Sequence, residues 1–142
     1  MKFRFTLQAE LNLRTAAADR VGSELAAALR REEQRRHGRS EAEQTLREIT
    51  RRAQALAAPG TVSPAAVLEI KRCLSGAQAE HDREVHRLEA SRLRVEELRQ
   101  AWTEARRETQ ALERLRERRL QEYRREQDRR MEGEFNRVVA RK

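Results

Sequence analysis

The stretch ALAAPGTVSPAAVLEI, residues 55–70, divides the chain, because it contains both prolines of the sequence, Pro59 and Pro64. Pro59–Gly60 is a dipeptide typical of turns. Ser63 followed by Pro64 is typical of the N-cap and first position of a helix. The sequence therefore predicts one break, near residues 58–63, with a helix on either side.

On both sides of this break, one set of residues is spaced alternately four and three positions apart. This is the heptad pattern of a coiled-coil seam. Before the break the seam positions are Leu7, Leu11, Arg14, Ala18, Val21, Leu25, Ala28, Glu32, Arg35, Arg39, Ala42, Leu46, Ile49, Ala53 and Leu56. After it they are Val67, Ile70, Leu74, Ala77, His81, Glu84, Leu88, Ser91, Val95, Leu98, Trp102, Ala105, Thr109 and Leu112. Two such helices joined by a short turn predict an all-α fold, an antiparallel coiled-coil hairpin. We expect a single coiled-coil domain, residues 1–142, with helices at about 7–57 and 64–140.

The composition agrees with long helices rather than a compact globular core. Charged residues make up 39% of the 142 residues and aromatic residues only 4%, with 5 glycines and 2 prolines. Strong helix formers such as Ala, Leu, Glu, Arg and Gln dominate. The net charge of +8 favours anionic partners such as nucleic acid, acidic protein surfaces or anionic lipid.

The hairpin predicts a register in which the numbers of paired residues sum to about 121. The polar middle of the first helix then faces the polar part of the second. The residues involved are Glu32, Arg35 and Arg39 on the first helix, and His81, Asp82, Glu84 and His86 on the second. Such a layer costs stability and can fix alignment.

The second predicted helix is longer than the first by about 26 residues, or about 39 Å of helix. This predicted overhang, taken as residues 114–142, has 11 basic and 6 acidic residues and so carries +5 of the chain's charge. It still contains Leu120, Tyr123, Met131, Phe135 and Val138. A helix with leftover apolar side chains and a positive bias is expected to enter a partner.

Three interpretations of the overhang remain open on spacing alone. It could be a solvated helix with i, i+4 ion pairs. It could dock in a protein groove or ring of mixed charge. It could also bind nucleic acid, although its carboxylates repel phosphate and only Tyr123 and Phe135 could stack on bases.

No catalytic, metal or cofactor motif is present in the sequence. It contains neither of the two glycine-rich phosphate-binding patterns. In HDREVH, the i, i+5 spacing turns His81 and His86 about 140° apart on a helix, so they cannot share one ion. We therefore expect no enzyme activity, no metal, no cofactor and no small-molecule substrate.

The expected location is cytosolic or peripheral to a membrane. Cys73 is the single cysteine, which excludes an internal disulfide and favours a reducing compartment. No run approaches the roughly 20 apolar residues that cross a bilayer. The start, MKFRFTLQAEL, has no apolar run of signal-peptide length.

Both ends of the chain resemble the flagellar export proteins of the FliJ family. The residues that carry the resemblance are MKFRFTLQAELNLR, residues 1–14, and LRERRLQEYRREQDRRMEGEFNRVVARK, residues 115–142, with its paired basic residues and its Glu134–Phe135 step. Length, hairpin layout and overhang extend the resemblance over essentially the whole chain.

The resemblance implies a non-enzymatic component of the bacterial flagellar type III export apparatus, similar in shape to the stalk of rotary ATPases. Such proteins enter the hexameric ring of the export ATPase, link it to the export gate protein FlhA and escort export chaperones, at the cytoplasmic face of the inner membrane. No nucleic-acid partner is then expected. Ring contacts are expected at Phe3, Phe5, Arg14, Arg118, Arg119, Tyr123, Arg130 and Phe135. The equivalent stalk of an injectisome, or a basic nucleic-acid-binding coiled coil, remains as an alternative.

The resemblance also implies a surface near the turn that contacts the export gate. The expected residues are Ala42, Leu46, Ile49 and Ala53 on the first helix, and Ile70, Leu74, Ala77 and His81 on the second. All eight coincide with the predicted seam, so packing between the two helices competes with partner binding as their role. Ile70 stands where family members can have an aromatic residue.

Overall fold

Two long helices make up the fold. The computed structural model describes residues 2–57, 60 and 63–142. Helix α1 is Gln8–Leu56, with 49 residues, and helix α2 is Pro64–Ala140, with 77 residues. No strand occurs in the described part of the chain. The prediction of an all-α pair with a longer second helix is confirmed, and of the predicted turn, 58–63, only Gly60 and Ser63 lie within the described residues.

The helix ends follow from local sequence. Pro64 opens α2, where its missing N–H is not needed, and the Val67 N–H donates to the Ser63 carbonyl at 3.2 Å. Before α1, the Gln8 N–H donates to the Phe5 carbonyl at 3.0 Å, which turns the chain into the helix. At the far end of α1, the Ala57 N–H still reaches the Ala53 carbonyl at 3.2 Å.

The residues divide into two compact units, and each unit contains a segment of α1 and a segment of α2. The first unit contains Met1–Ser23 and Gln100–Lys142, and the second contains Glu24–Arg99. In each unit a segment of α1 packs against an antiparallel segment of α2.

The core of the second unit is a narrow row of small and aliphatic side chains. Ala28, Val95 and Leu98 are buried together, and Leu25 packs against them. Leu88 is the most completely buried large side chain, with 2% of its surface exposed. Ala42 and Ala77 extend the buried row toward the turn. All of these are predicted seam positions.

The first unit has a similar row with one addition that the heptad pattern lacks. Leu11, Ala18 and Thr109 occupy seam positions and are buried, and Phe5, which precedes the helix, is buried with them. Seam residues that are instead exposed are Leu7 and Trp102 in this unit and Arg35 in the second. Trp102 lies against Gly22, where an added Cβ would come 3.2 Å from the indole nitrogen.

The predicted polar layer in the second unit is only partly buried. Glu32 and Glu84 are buried, and each carboxylate is paired, Glu32 with Arg36 at 2.7 Å and Glu84 with Arg87 at 2.6 Å. The other predicted members are half-buried or exposed: Arg39 and His81 are half-buried, and Arg35, Asp82 and His86 are exposed. The buried polar part of the seam therefore consists of two carboxylates, each paired with an exposed arginine of its own helix.

Paired residues sum to slightly more than the predicted 121. The sums are 122 for Arg14 with Glu108 and for Gly38 with Glu84, and 124 for Gln8 with Arg116. In a helix, side chains lean toward the N-terminus. In an antiparallel pair, each partner in a contact therefore lies slightly C-terminal to the residue whose backbone is at the height of that contact. This raises the sum of the two residue numbers by one or two per contact.

We expect Gly76→Ala to stabilise the protein by about 1 kcal/mol, because glycine is that much worse than alanine inside a helix and nothing lies within 4 Å of the added Cβ. Gly38→Ala should gain less, since its Cβ would come 2.8 Å from Glu84 Oε2 and displace the buried carboxylate. Urea unfolding followed by circular dichroism measures both. Equal gains would contradict the approach of Glu84 to α1.

Candidate protein-docking sites

The non-helical N-terminal segment, residues 2–7, lies along α2 in the first unit. Phe5 is its anchor, with only 7% of its surface exposed. The Phe3 ring lies 5.6 Å from the Tyr123 ring, and the Arg116 guanidinium lies 6.0 Å from the centre of the Phe3 ring. This segment therefore gives α2 a partner beyond the start of α1.

Two polar contacts fix the same segment. Arg116 Nε donates to Gln8 Oε1 at 3.0 Å, and Arg119 donates to Thr6 Oγ1 at 3.4 Å. The contacts run from Gln8 beside Arg116 to Phe3 beside Tyr123, so the segment follows α2 over seven residues. Among the described residues, the part of α2 without a partner segment thus begins near residue 124, later than the 114 predicted for the overhang.

Arg14 is held between two carboxylates. It donates to Glu10 Oε1 at 2.9 Å on its own helix and pairs with Glu108 on α2. These hydrogen bonds, first to Glu10 and then to Glu108, raise the pKa of the Arg14 guanidinium. A partner that binds Arg14 would have to replace at least one of them.

The C-terminal extension, residues 124–142, is open to solvent except at Gln127, which is half-buried. Met131, Phe135 and Val138 follow one another at i, i+4 and i+7, and Val139 adjoins them. Between 56% and 68% of each of these four side chains is exposed. This arrangement is the apolar face that a helix places in a partner's groove.

The predicted ring residues all lie in the first unit, in different settings. Phe3, Phe5, Arg119 and Tyr123 come together where the N-terminal segment meets α2. Arg118 is exposed, and Arg130 pairs with Glu126 at 2.6 Å. Phe135 is the centre of the apolar face of the extension. That face also includes Met131, Val138 and Val139, which the predicted ring set omits although their helical spacing is visible in the sequence.

The predicted gate residues all lie in the second unit, at the contact between its two helices. Ala42 and Ala77 are buried in the seam, with 9% and 8% exposed. The other six, Leu46, Ile49, Ala53, Ile70, Leu74 and His81, are half-buried. The two alanines therefore act in packing, and only the half-buried residues offer surface to a partner.

Two grooves expose parts of the gate set. An apolar groove of about 280 Å³ is lined by Ala53, Leu56, Ala57, Val67, Ile70, Lys71 and Leu74. A more polar groove of about 470 Å³ is lined by Glu43, Leu46, Arg47, Thr50, Arg51, Gln54 and His81. The structure thus brings Ala53, Ile70 and Leu74 together and adds Leu56 and Val67 to them.

Within residues 2–57, 60 and 63–142, no three His, Cys, Asp or Glu side chains are placed to hold a metal ion. Cys73 is exposed on α2. Over the same residues neither helix has a stretch long and apolar enough to cross a membrane.

A sequence model of the family described as Flagellar FliJ protein matches residues 3–132. The match includes both the N-terminal segment with its contacts on α2 and the two grooves near the turn. Searches of curated proteins and of solved structures gave no match.

Phe5→Ala should free the N-terminal segment. Replacing a buried phenylalanine costs about 3–5 kcal/mol in a protein core, and we expect the low end of this range or less because the segment can fray on its own. Leu13→Ala, at a side chain with 70% of its surface exposed, is the matched control and should change stability little. Hydrogen exchange at the Gln8 amide, which donates to Phe5, should accelerate only in the first variant. Equal exchange in the two variants would contradict an anchoring role.

Proposed function

Because the chain belongs to the flagellar FliJ protein family, it is a component of the flagellar export apparatus, and we propose that it serves there as a non-enzymatic stalk and adaptor. In this role it joins the ring of the export ATPase to the FlhA-type export gate and escorts export chaperones. Its place is the cytoplasmic face of the inner membrane. The flagellar description of the matching family favours this role over the injectisome alternative.

The observation that carries the proposal is the C-terminal extension. Residues 124–140 form about 25 Å of helix, and no partner segment from residues 2–57, 60 or 63–123 lies along it. A single helix is about 10–12 Å across with its side chains, which is narrow enough to enter the middle of a protein ring. Its apolar face supplies contact area, and the basic residues beside it suit acidic side chains on the ring.

The N-terminal segment supports the same docking. It lies on α2 immediately before the extension and presents Phe3, Tyr123 and Arg119 at one level. We infer that the ring contacts Phe3, Tyr123 and Arg119 at the entrance of its central channel. Deeper in the channel, the ring contacts the apolar face of the C-terminal extension. The buried Phe5 then positions the N-terminal segment rather than contacting the ring.

The apolar groove near the turn is the proposed contact with the export gate. Its half-buried Ile70 and Leu74 lie beside Ala53, with Leu56 and Val67 completing the wall. These side chains are covered too little to be a finished core, and they lie in the second unit, whereas the ring contacts lie in the first. A partner helix or loop with an apolar side chain would cover them.

We expect Phe135→Ala combined with Val138→Ala to reduce stimulation of the export ATPase by at least ten-fold, because these side chains carry the face that enters the ring. The control is Leu68→Ala combined with Leu93→Ala, which removes two equally exposed apolar side chains elsewhere. Hydrolysis of ATP and ring assembly are measured against the concentration of the full-length chain. Normal stimulation by the first variant would overturn the docking assignment.

Ile70→Glu should abolish binding to the cytoplasmic domain of the gate protein without changing stimulation of the ATPase. A charge in the apolar groove loses favourable burial and costs desolvation when the partner covers it. Leu68→Glu, on the same helix outside the groove, is the matched control and should bind normally. Titration of the two variants against the gate domain measures the difference. Equal binding by both variants would show that the gate contacts another surface.

A further inference from the structure

A groove in the second unit is lined by positively charged residues that belong to neither proposed docking site. It has a volume of about 270 Å³ and is lined by Ala28, Arg31, Arg35, Arg87, Ala90, Ser91 and Arg94. Four of these seven residues are arginines and none is acidic. We name it the arginine groove.

The two arginines on α1 are available to a ligand. Arg31 and Arg35 are one helical turn apart and exposed, and no ion pair is recorded for either within the described residues. Arg35 falls on a seam position of the heptad pattern yet is exposed rather than buried between the helices. An arginine in this position contributes charge to the groove instead of packing.

The two arginines on α2 keep spare hydrogen-bonding capacity. Arg87 pairs through Nη1 with Glu84 at 2.6 Å and, at a longer distance of 4.0 Å, with Glu80, whereas Arg94 pairs through Nη1 with Glu97 at 3.3 Å. A guanidinium has five N–H donors, and these ion pairs engage only Nη1 of each arginine, so donors remain for a ligand. Arg87 and Arg94 are about 10 Å apart along the helix, or two turns.

A second groove over the same turns of α1 and α2 provides the contrast. It is lined by Leu29, Glu32, Glu33, Arg36, Arg92, Val95, Glu96 and Arg99, so that three carboxylates balance three arginines. Within it Arg36 pairs with Glu32 at 2.7 Å. The abundance of arginine in the chain therefore does not explain the arginine groove, because the neighbouring groove is neutral.

The shape of the arginine groove favours one class of anionic ligand. Its uncharged lining residues are Ala28, Ala90 and Ser91, whose small side chains allow a partner's backbone to approach closely. A helix laid along it would place carboxylates at i, i+4 and i+7 over the same 10 Å that separate Arg87 from Arg94. Arginine forks bind carboxylates in a bidentate manner. No aromatic side chain lines the groove, which disfavours a single nucleic-acid strand.

We propose that the arginine groove binds an acidic helix of a partner protein, which adds a third helix to the pair. The proposal does not depend on the flagellar role, since it rests on charge and shape in the middle of the second unit. The partner is defined by its chemistry: carboxylates repeated on one helical face, with small side chains between them.

The test uses the full-length chain and a synthetic alanine-based helical peptide with glutamate at i, i+4 and i+7. Fluorescence anisotropy of the labelled peptide should show binding that an otherwise identical glutamine peptide lacks. Arg31→Gln combined with Arg35→Gln should weaken this binding at least ten-fold. Glutamine keeps helix propensity, so the fold is retained, which circular dichroism verifies.

The control variant combines Arg47→Gln with Arg92→Gln, which removes the same charge from the second unit outside the arginine groove. Binding unchanged in this control supports the proposal. Equal weakening in both variants would overturn it, since net charge alone would then explain binding. Absence of peptide binding to the unmodified chain would also overturn it. So would tighter binding of single-stranded DNA or of anionic lipid vesicles with the same dependence on Arg31 and Arg35.

Discussion

A single row of side chains between two helices holds each unit together, and this row determines which other residues can be buried. Two helices have no third layer, so a residue within a helix is buried only if it lies on the facing stripe. Small side chains such as Ala18, Ala28 and Ala77 keep the helices close. At two places a glycine of α1 leaves room for a larger or charged side chain of α2, Gly22 beside Trp102 and Gly38 beside Glu84.

Heptad spacing made most of this row predictable, because a stripe of period 3.5 has only one way to meet an antiparallel partner. Three seam positions are exceptions. Leu7 precedes α1 and so does not share its stripe, whereas Arg35 and Trp102 lie on seam positions but are exposed. The sums of paired residues exceed the prediction because side chains lean along the helix, which a count of backbone positions ignores.

The candidate sites were less predictable, since they depend on contacts without a period. Phe3 and Phe5 precede the helix, and nothing in their spacing indicates that Phe5 is buried or that Phe3 lies against Tyr123. The gate residues were predicted through the resemblance, and heptad spacing does not distinguish the buried Ala42 and Ala77 from the six that are half-buried. The apolar face of the extension, by contrast, could be predicted from the i, i+4, i+7 spacing of Met131, Phe135 and Val138.

Trp102 is the single tryptophan of the chain and lies in the first unit, half in solvent, with the Arg106 guanidinium 5.2 Å from the centre of its ring. Its emission therefore reports on one unit, whereas the helical signal in circular dichroism sums over both. Superimposable melting curves from the two probes would mean that the units lose structure as one cooperative body. Separated midpoints would mean that one unit can unfold while the other remains folded.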